Sequence, residues 1–139
     1  MSDLYQTTID SVNQLLAEYK KCCEENNVQG LERCGQLLAA DKAVLRQIEV
    51  EASHLYMAAK DEFELQKALG YKTHRGNGMC TLDATNFSKL DTIPQSKVMH
   101  NHKCRRDICR GLMDDLTEVA IKINIALKDA RQQYQYGHG

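Results

Sequence analysis

Residues 109–134 read CRGLMDDLTEVAIKINIALKDARQQY, and the apolar positions recur at alternating intervals of four and three residues. This spacing keeps side chains on one face of an α-helix, because a helical turn contains about 3.6 residues. The face consists of Cys109, Met113, Leu116, Ala120, Ile123, Leu127, Ala130 and Tyr134. Further apolar residues lie beside it, as is typical of a helix that packs against a core. The pattern therefore predicts a long helix over residues 96–134.

Two further helices are predicted upstream, over residues 3–26 and 29–69. The first has the same spacing and ends at Asn26-Asn27, since asparagine tolerates the left-handed conformation that ends helices. The second contains no proline, and Asp41 is the one polar residue on its apolar face. At about 1.5 Å per residue, a helix of this length is too long for a compact globule of this mass. We therefore predict an all-α fold: an elongated antiparallel helical hairpin plus a third long helix. This arrangement is a three-helix coiled-coil bundle, which dimerisation can complete.

The segment 70–95 interrupts the helical pattern. It contains Gly70, Gly76, Gly78 and Pro94, with only scattered apolar residues between them. Glycine and proline are the strongest local breaks in regular structure. We predict a flexible or partly ordered segment here, and we expect residues 1–139 to form a single helical domain.

Composition excludes several classes of protein. The chain has 139 residues, of which 42% are hydrophobic, and its formal net charge of −1 is not that of a disordered chain. It contains no apolar run of the roughly 18 residues that a membrane helix needs. The N-terminus lacks the basic and apolar regions of a signal peptide. We therefore expect a cytoplasmic protein with no membrane insertion, whose six cysteines are reduced.

Charge is unevenly distributed along the chain. Residues 1–68 hold twelve acidic and seven basic residues, whereas residues 69–139 hold seven acidic and eleven basic residues. A basic patch begins the third helix and consists of Lys97, Lys103, Arg105, Arg106 and Arg110. No aromatic residue is interleaved to stack on bases, and the overall pI is near 6.5, which argues against nucleic acid. We interpret the patch as a solvated face or a partner for acidic groups.

The same segment contains the residues that a metal site would use. His100, His102, Cys104 and Cys109 are zinc-type ligands, but no Cys-x-x-Cys pair supports them. Glu51-x-x-His54 has the spacing of di-iron ligands, but a second such motif is missing from the sequence. We expect free thiols rather than a metal site, no cofactor and no enzymatic activity. The zinc site is the alternative.

A resemblance to a known family lies in residues 30–49, which read GLERCGQLLAADKAVLRQIE. Preceded by a heptad helix and a short turn, this segment resembles the FlgN-type flagellar export chaperones. The resemblance implies a small cytoplasmic chaperone that keeps a hook-associated-type subunit soluble and escorts it to a type III export gate. It also implies a client-binding face toward the C-terminal helix. By position, that face is Leu112, Leu116, Val119, Ile123, Leu127 and Tyr134.

Two functions from different classes follow. The first is a non-enzymatic protein-binding protein that covers an amphipathic helix of a client, read through i, i+3, i+4 and i+7 anchors. The second is a helical oligomer with a structural or inhibitory role, of the kind found in phages and viruses. A zinc- or nucleic-acid-binding module at residues 97–110 is a third alternative. In every case the client-binding face has a competing interpretation, in which the same stripe is internal core.

Overall fold

The computed structural model describes the backbone of residues 2–137 and the side chains of residues 4–135. Within this range the chain is all-helical with four helices, which confirms the predicted all-α class; the three-helix coiled-coil arrangement and its dimerisation stay predictions. The helices are α1 (Ser2–Glu24), α2 (Val28–Gly76), α3 (Thr81–Asp91) and α4 (Ile93–Gly137). None of these helices, as far as their residues are described, is long and apolar enough to cross a membrane.

The helices pack into two compact units. Unit 1 is Met1–Ile48 with Cys109–Gly139, and therefore contains α1, the first part of α2 and the last part of α4. Unit 2 is Glu49–Ile108, and contains the rest of α2, all of α3 and the beginning of α4. The two units share the long helices α2 and α4. The single helical domain over residues 1–139 stays a prediction.

Unit 1 has a conventional apolar core to which all three of its helical segments contribute. Its buried members are Val12, Leu15, Cys22, Leu31, Cys34, Leu38, Leu45, Ile48, Cys109, Leu116 and Ile123. Each large aliphatic side chain contributes roughly 1.5–3 kcal/mol by leaving water. These residues recur at helical spacing in the sequence because each helix buries one face in this core.

The turn between α1 and α2 follows the predicted break. Asn26 adopts a positive φ of 52°, and α1 ends two residues earlier at Glu24. Asn27 then caps α2, because its Oδ1 accepts a hydrogen bond from the Gly30 backbone N–H at 3.0 Å. Farther from the turn, the Ser11 hydroxyl donates to the two carboxylate oxygens of Asp41 at 3.1 and 3.2 Å. The polar residue on the apolar face of α2 is thus paired across the two helices.

The structure places helices over most of residues 70–95, where we predicted a flexible or partly ordered segment. The helix α2 continues past Gly70 to Gly76, and α3 occupies most of the remainder. A glycine inside a helix costs only about 1 kcal/mol, which packing can offset. The true break is the short turn after Gly76, where Gly78 has a positive φ of 91°. Pro94 lies in the first turn of α4, where its missing N–H needs no acceptor.

Small side chains dominate the interior of unit 2. Its buried residues are Ala52, Ala84, Ser88 and Thr92. The Ser88 hydroxyl donates to the backbone carbonyl of Lys67. At the same crossing, a Cβ added to Gly70 would lie 3.3 Å from Ser88 Oγ, so α3 approaches α2 closely. Because the backbones of α2 and α3 approach closely here, large apolar side chains do not fit between the two helices. Those side chains therefore lie on exposed faces.

Candidate functional site

The predicted client-binding stripe on α4 is largely internal. Leu116 and Ile123 are buried in the core of unit 1. Leu112, Val119 and Leu127 are partly buried and pack against that core. Tyr134 is the exception, with 71% of its surface exposed. The first five side chains thus lie in or against the core of unit 1, which fits the competing interpretation of the stripe as internal core.

The predicted basic patch is only partly a free surface. Lys97, Lys103 and Arg110 are exposed, whereas Arg105 and Arg106 are half-buried. The Arg106 guanidinium lies 4.7 Å from the centre of the Tyr56 ring, and its Nε donates to Asp107 at 3.2 Å. Arg106 therefore has a structural role between α4 and α2 within unit 2.

The candidate zinc ligands do not converge. Cys104 Sγ and His100 Nε2 lie 3.3 Å apart, as their spacing of four residues on a helix requires. His102 is half-buried, whereas Cys109 is fully buried in the core of unit 1. Among the described residues, no group of three or more His, Cys, Asp or Glu side chains is placed to hold a metal ion. The residues of the second candidate motif, Glu51 and His54, are both exposed.

The six cysteines, all within the described range, are reduced. Cys22, Cys34 and Cys109 are buried, and the other three are exposed. Burial raises the pKa of the Cys34 thiol, and the neighbouring Cys22 raises it further. A buried thiol that holds its proton is a poor nucleophile, so Cys34 acts as a small apolar side chain in the core.

A polar pair lies where α3 meets α2 in unit 2. His74 Nε2 and Asp91 Oδ2 are 2.6 Å apart, and the His74 ring lies 5.7 Å from the Phe87 ring. They border a recess of about 290 Å³, which Thr73, Thr92 and Gln95 also line. This pair joins α3 to α2.

An apolar groove between α2 and α4 in unit 2 is the better candidate for binding. A recess of about 210 Å³ lies between the two helices, lined by Ala59, Glu62, Pro94, Gln95 and Val98. Val98 is 51% exposed, and Leu55, one helical turn before Ala59, is 42% exposed. We name this recess, together with the neighbouring Leu55 on α2, the α2–α4 groove.

Sequence reasoning missed most of the α2–α4 groove. Leu55 and Ala59 lie on α2 at the helical spacing of its apolar face, which does not distinguish a buried face from an exposed groove. Pro94 was interpreted as a break before the third helix, and Val98 lies away from the apolar stripe of α4. The available signal was the pair Pro94 and Val98, which are four residues apart and therefore share a helical face.

No protein-family model, no curated protein and no solved structure matches the chain at a significant level.

Proposed function

We propose that this chain is a non-enzymatic protein-binding protein that holds an amphipathic helix of a partner in the α2–α4 groove. The observation that carries the proposal is the exposed apolar surface of unit 2. Of the large apolar residues that are exposed in the described part of the chain, twelve lie in unit 2 and six in unit 1. Concentrated exposed apolar surface on a soluble protein marks an interaction site.

The shape of the α2–α4 groove favours a helix as the occupant. Two neighbouring helices with small side chains between them, here Ala59 and Pro94, leave a furrow. An added helix can place apolar side chains in such a furrow at positions i, i+3, i+4 and i+7. Leu55 and Val98, each about half exposed, supply the apolar contacts along its sides.

The charges beside the groove define the flanks of the partner helix. On α2, Glu62 lines the recess, and Glu51 lies one turn before Leu55. On α4, the exposed Lys97 directly precedes Val98. A partner helix that carries basic residues on one flank of its apolar stripe and acidic residues on the other complements both sides.

The resemblance to FlgN-type chaperones adds a cellular role to the proposal. It implies that the partner is a secreted flagellar subunit, covered in the cytoplasm before type III export. This part of the proposal rests on that resemblance alone. We place the client in the α2–α4 groove rather than on the stripe Leu112–Tyr134, because five of the six side chains of that stripe lie in or against the core of unit 1.

Peptide binding tests the groove directly. The probe is a fluorescent amphipathic helical peptide with a leucine stripe, lysines on one flank and glutamates on the other. Wild-type protein should bind it, and Val98→Glu should weaken binding at least tenfold in fluorescence anisotropy. The matched control is Ile125→Glu, because Ile125 is 57% exposed on the part of α4 that belongs to unit 1.

Peptides with the same stripe but two acidic flanks, or two basic flanks, should bind more weakly than the mixed peptide. Failure of the mixed peptide to bind, or equal loss of binding with Val98→Glu and Ile125→Glu, would refute the groove. Steady metabolite turnover by the purified protein, abolished by one polar substitution, would refute the non-enzymatic part of the proposal.

A further inference from the structure

The helix α3 exposes its large apolar side chains and buries small ones, which is the reverse of the usual pattern for a surface helix. Its buried positions are Ala84 and Ser88, which are 0% and 1% exposed. Its outer positions are Leu82, Phe87 and Leu90, which are 69%, 45% and 58% exposed. A surface helix normally buries its large apolar side chains and exposes its small and polar ones. The outward face of α3 is therefore an apolar surface that the described chain does not cover.

Contacts on the inward face of α3 fix its orientation, so the helix cannot rotate about its axis to bury its leucines. The Ser88 hydroxyl bonds to the Lys67 carbonyl, and Ser88 also lies against Gly70. His74 holds Asp91 at the other end of the helix. A leucine at the position of Ser88 would overlap the backbone of α2, so the close crossing holds Leu82 and Leu90 in solvent.

The sequence of the outward face is nearly symmetric about Asn86. Leu82 and Leu90 lie four residues on either side of it, and Asp83 and Lys89 lie three residues on either side. An antiparallel second copy therefore brings Leu82 level with Leu90 of that copy. Asp83 of each helix then lies beside Lys89 of the other helix. The charges of these two Asp83 and two Lys89 side chains sum to zero.

We infer that α3 is a homodimerisation helix, which packs antiparallel against α3 of a second copy about a two-fold axis at Asn86. The interface is isologous, since the same face of both copies is used. Asn86 is exposed in the single chain, and in the pair its amide meets the amide of the other Asn86. A polar residue at the centre of an apolar helix pair fixes its register.

This surface is separate from the α2–α4 groove, so the inference does not depend on the proposed function. The groove is lined by residues of α2 and α4, whereas the dimer surface lies on the outward face of α3. A variant that abolishes dimerisation should leave binding of the amphipathic peptide unchanged.

Sedimentation equilibrium over a wide concentration range provides the first test. Wild-type protein should approach twice its monomer mass, and Leu82→Glu should raise the dissociation constant at least tenfold. Because Leu82 is mostly exposed, the variant should retain the wild-type helix content by circular dichroism. Ile121→Glu is the matched control, since Ile121 is 57% exposed on α4 and should leave the dimer intact.

Charge exchange tests the antiparallel pairing. Asp83→Lys and Lys89→Asp should each weaken the dimer at low salt, because each leaves four like charges along the interface. An equal mixture of the two variants should form a heterodimer, and the double variant should dimerise like the wild type. Increasing salt should reduce all of these differences.

Three results would overturn the inference. A protein that stays monomeric at the highest concentration has no such interface. A dimer that survives Leu82→Glu uses another surface. Loss of binding to a different protein on substitution of Leu82, in a chain that remains monomeric, would assign the outward face of α3 to that other partner.

Discussion

Replacing three glycines of unit 1 by alanine should change stability in opposite directions. Gly30 and Gly35 lie in α2, and Gly111 lies in α4. Each substitution gains up to about 1 kcal/mol, because glycine is a poor helix former relative to alanine. The three positions differ in the free space around an added Cβ.

The structure gives a different environment at each of the three positions. A Cβ on Gly111 would meet no atom within 4 Å, so Gly111→Ala measures helix propensity alone. A Cβ on Gly35 would lie 3.6 Å from Ile123 Cγ2, which is an ordinary contact. Both variants should therefore be more stable than the wild type by about 0.5–1 kcal/mol.

At Gly30 the same methyl group has no space. It would overlap Cys22 Sγ and lie 2.9 Å from Nδ2 of Asn27, the residue that caps α2. Overpacking of this kind costs about 1–3 kcal/mol, and loss of the cap costs about 1 kcal/mol more. Gly30→Ala should therefore be less stable than the wild type by about 1–3 kcal/mol, after the gain in helix propensity is subtracted.

Urea unfolding followed by circular dichroism at the helix band measures all three variants. The free energy of unfolding, extrapolated to water, should rank Gly35→Ala and Gly111→Ala above the wild type and Gly30→Ala below it. A Gly30→Ala protein as stable as Gly111→Ala would refute the close approach of α2 to Cys22. The double variant Gly30→Ala/Cys22→Ala should recover part of the loss, because it removes the overlapping sulfur.

Three further predictions concern the core and the titratable groups. Leu116→Ala should lower the free energy of unfolding by about 3 kcal/mol, because Leu116 is fully buried. The exposed Ile121 is the control, and Ile121→Ala should change the free energy of unfolding by less than about 0.5 kcal/mol. Equal effects of the two substitutions would contradict the assigned faces of α4. A thiol-reactive disulfide reagent should rapidly modify the three exposed cysteines in the folded protein, and the three buried cysteines only on unfolding. Rapid reaction of all six would mean that the core of unit 1 opens easily. Burial, with the hydrogen bond to Cys23, raises the pKa of Tyr19 from 10.0 to about 12. The unfolded chain thus loses this proton first, and urea titrations should show stability falling as pH rises above 10, less steeply in Tyr19→Phe.

The all-α class and the core of unit 1 were predictable from the sequence. Leu116 and Ile123 lie seven residues apart on the predicted apolar face of α4, and both are buried. The stop at Asn26 was also correct, since the residue adopts a left-handed conformation. In these segments local preference and tertiary packing agree, so the periodic pattern was sufficient.

The candidate binding surfaces were not predictable in the same way. We assigned the client-binding face to Leu112–Tyr134 by position, from the resemblance to FlgN-type chaperones. The regular apolar pattern of that face is also what burial in a core produces. The groove residue Val98 and the α3 residue Leu82 follow no long apolar stripe. Their exposure depends on which face of each helix meets its neighbours.

The sequence by itself determined where helices form in most of the chain and which side chains make the core of unit 1. Backbone conformation and apolar periodicity depend on neighbours within a few residues, and those neighbours are visible in the sequence. Only the tertiary structure showed that Gly70 lies inside a helix and that α3 turns its leucines outward. The packing of Ser88 against Gly70 is a contact between distant residues with small side chains. Such contacts leave no periodic apolar signal, so their effect on the exposed surface becomes visible only when the helices are packed together.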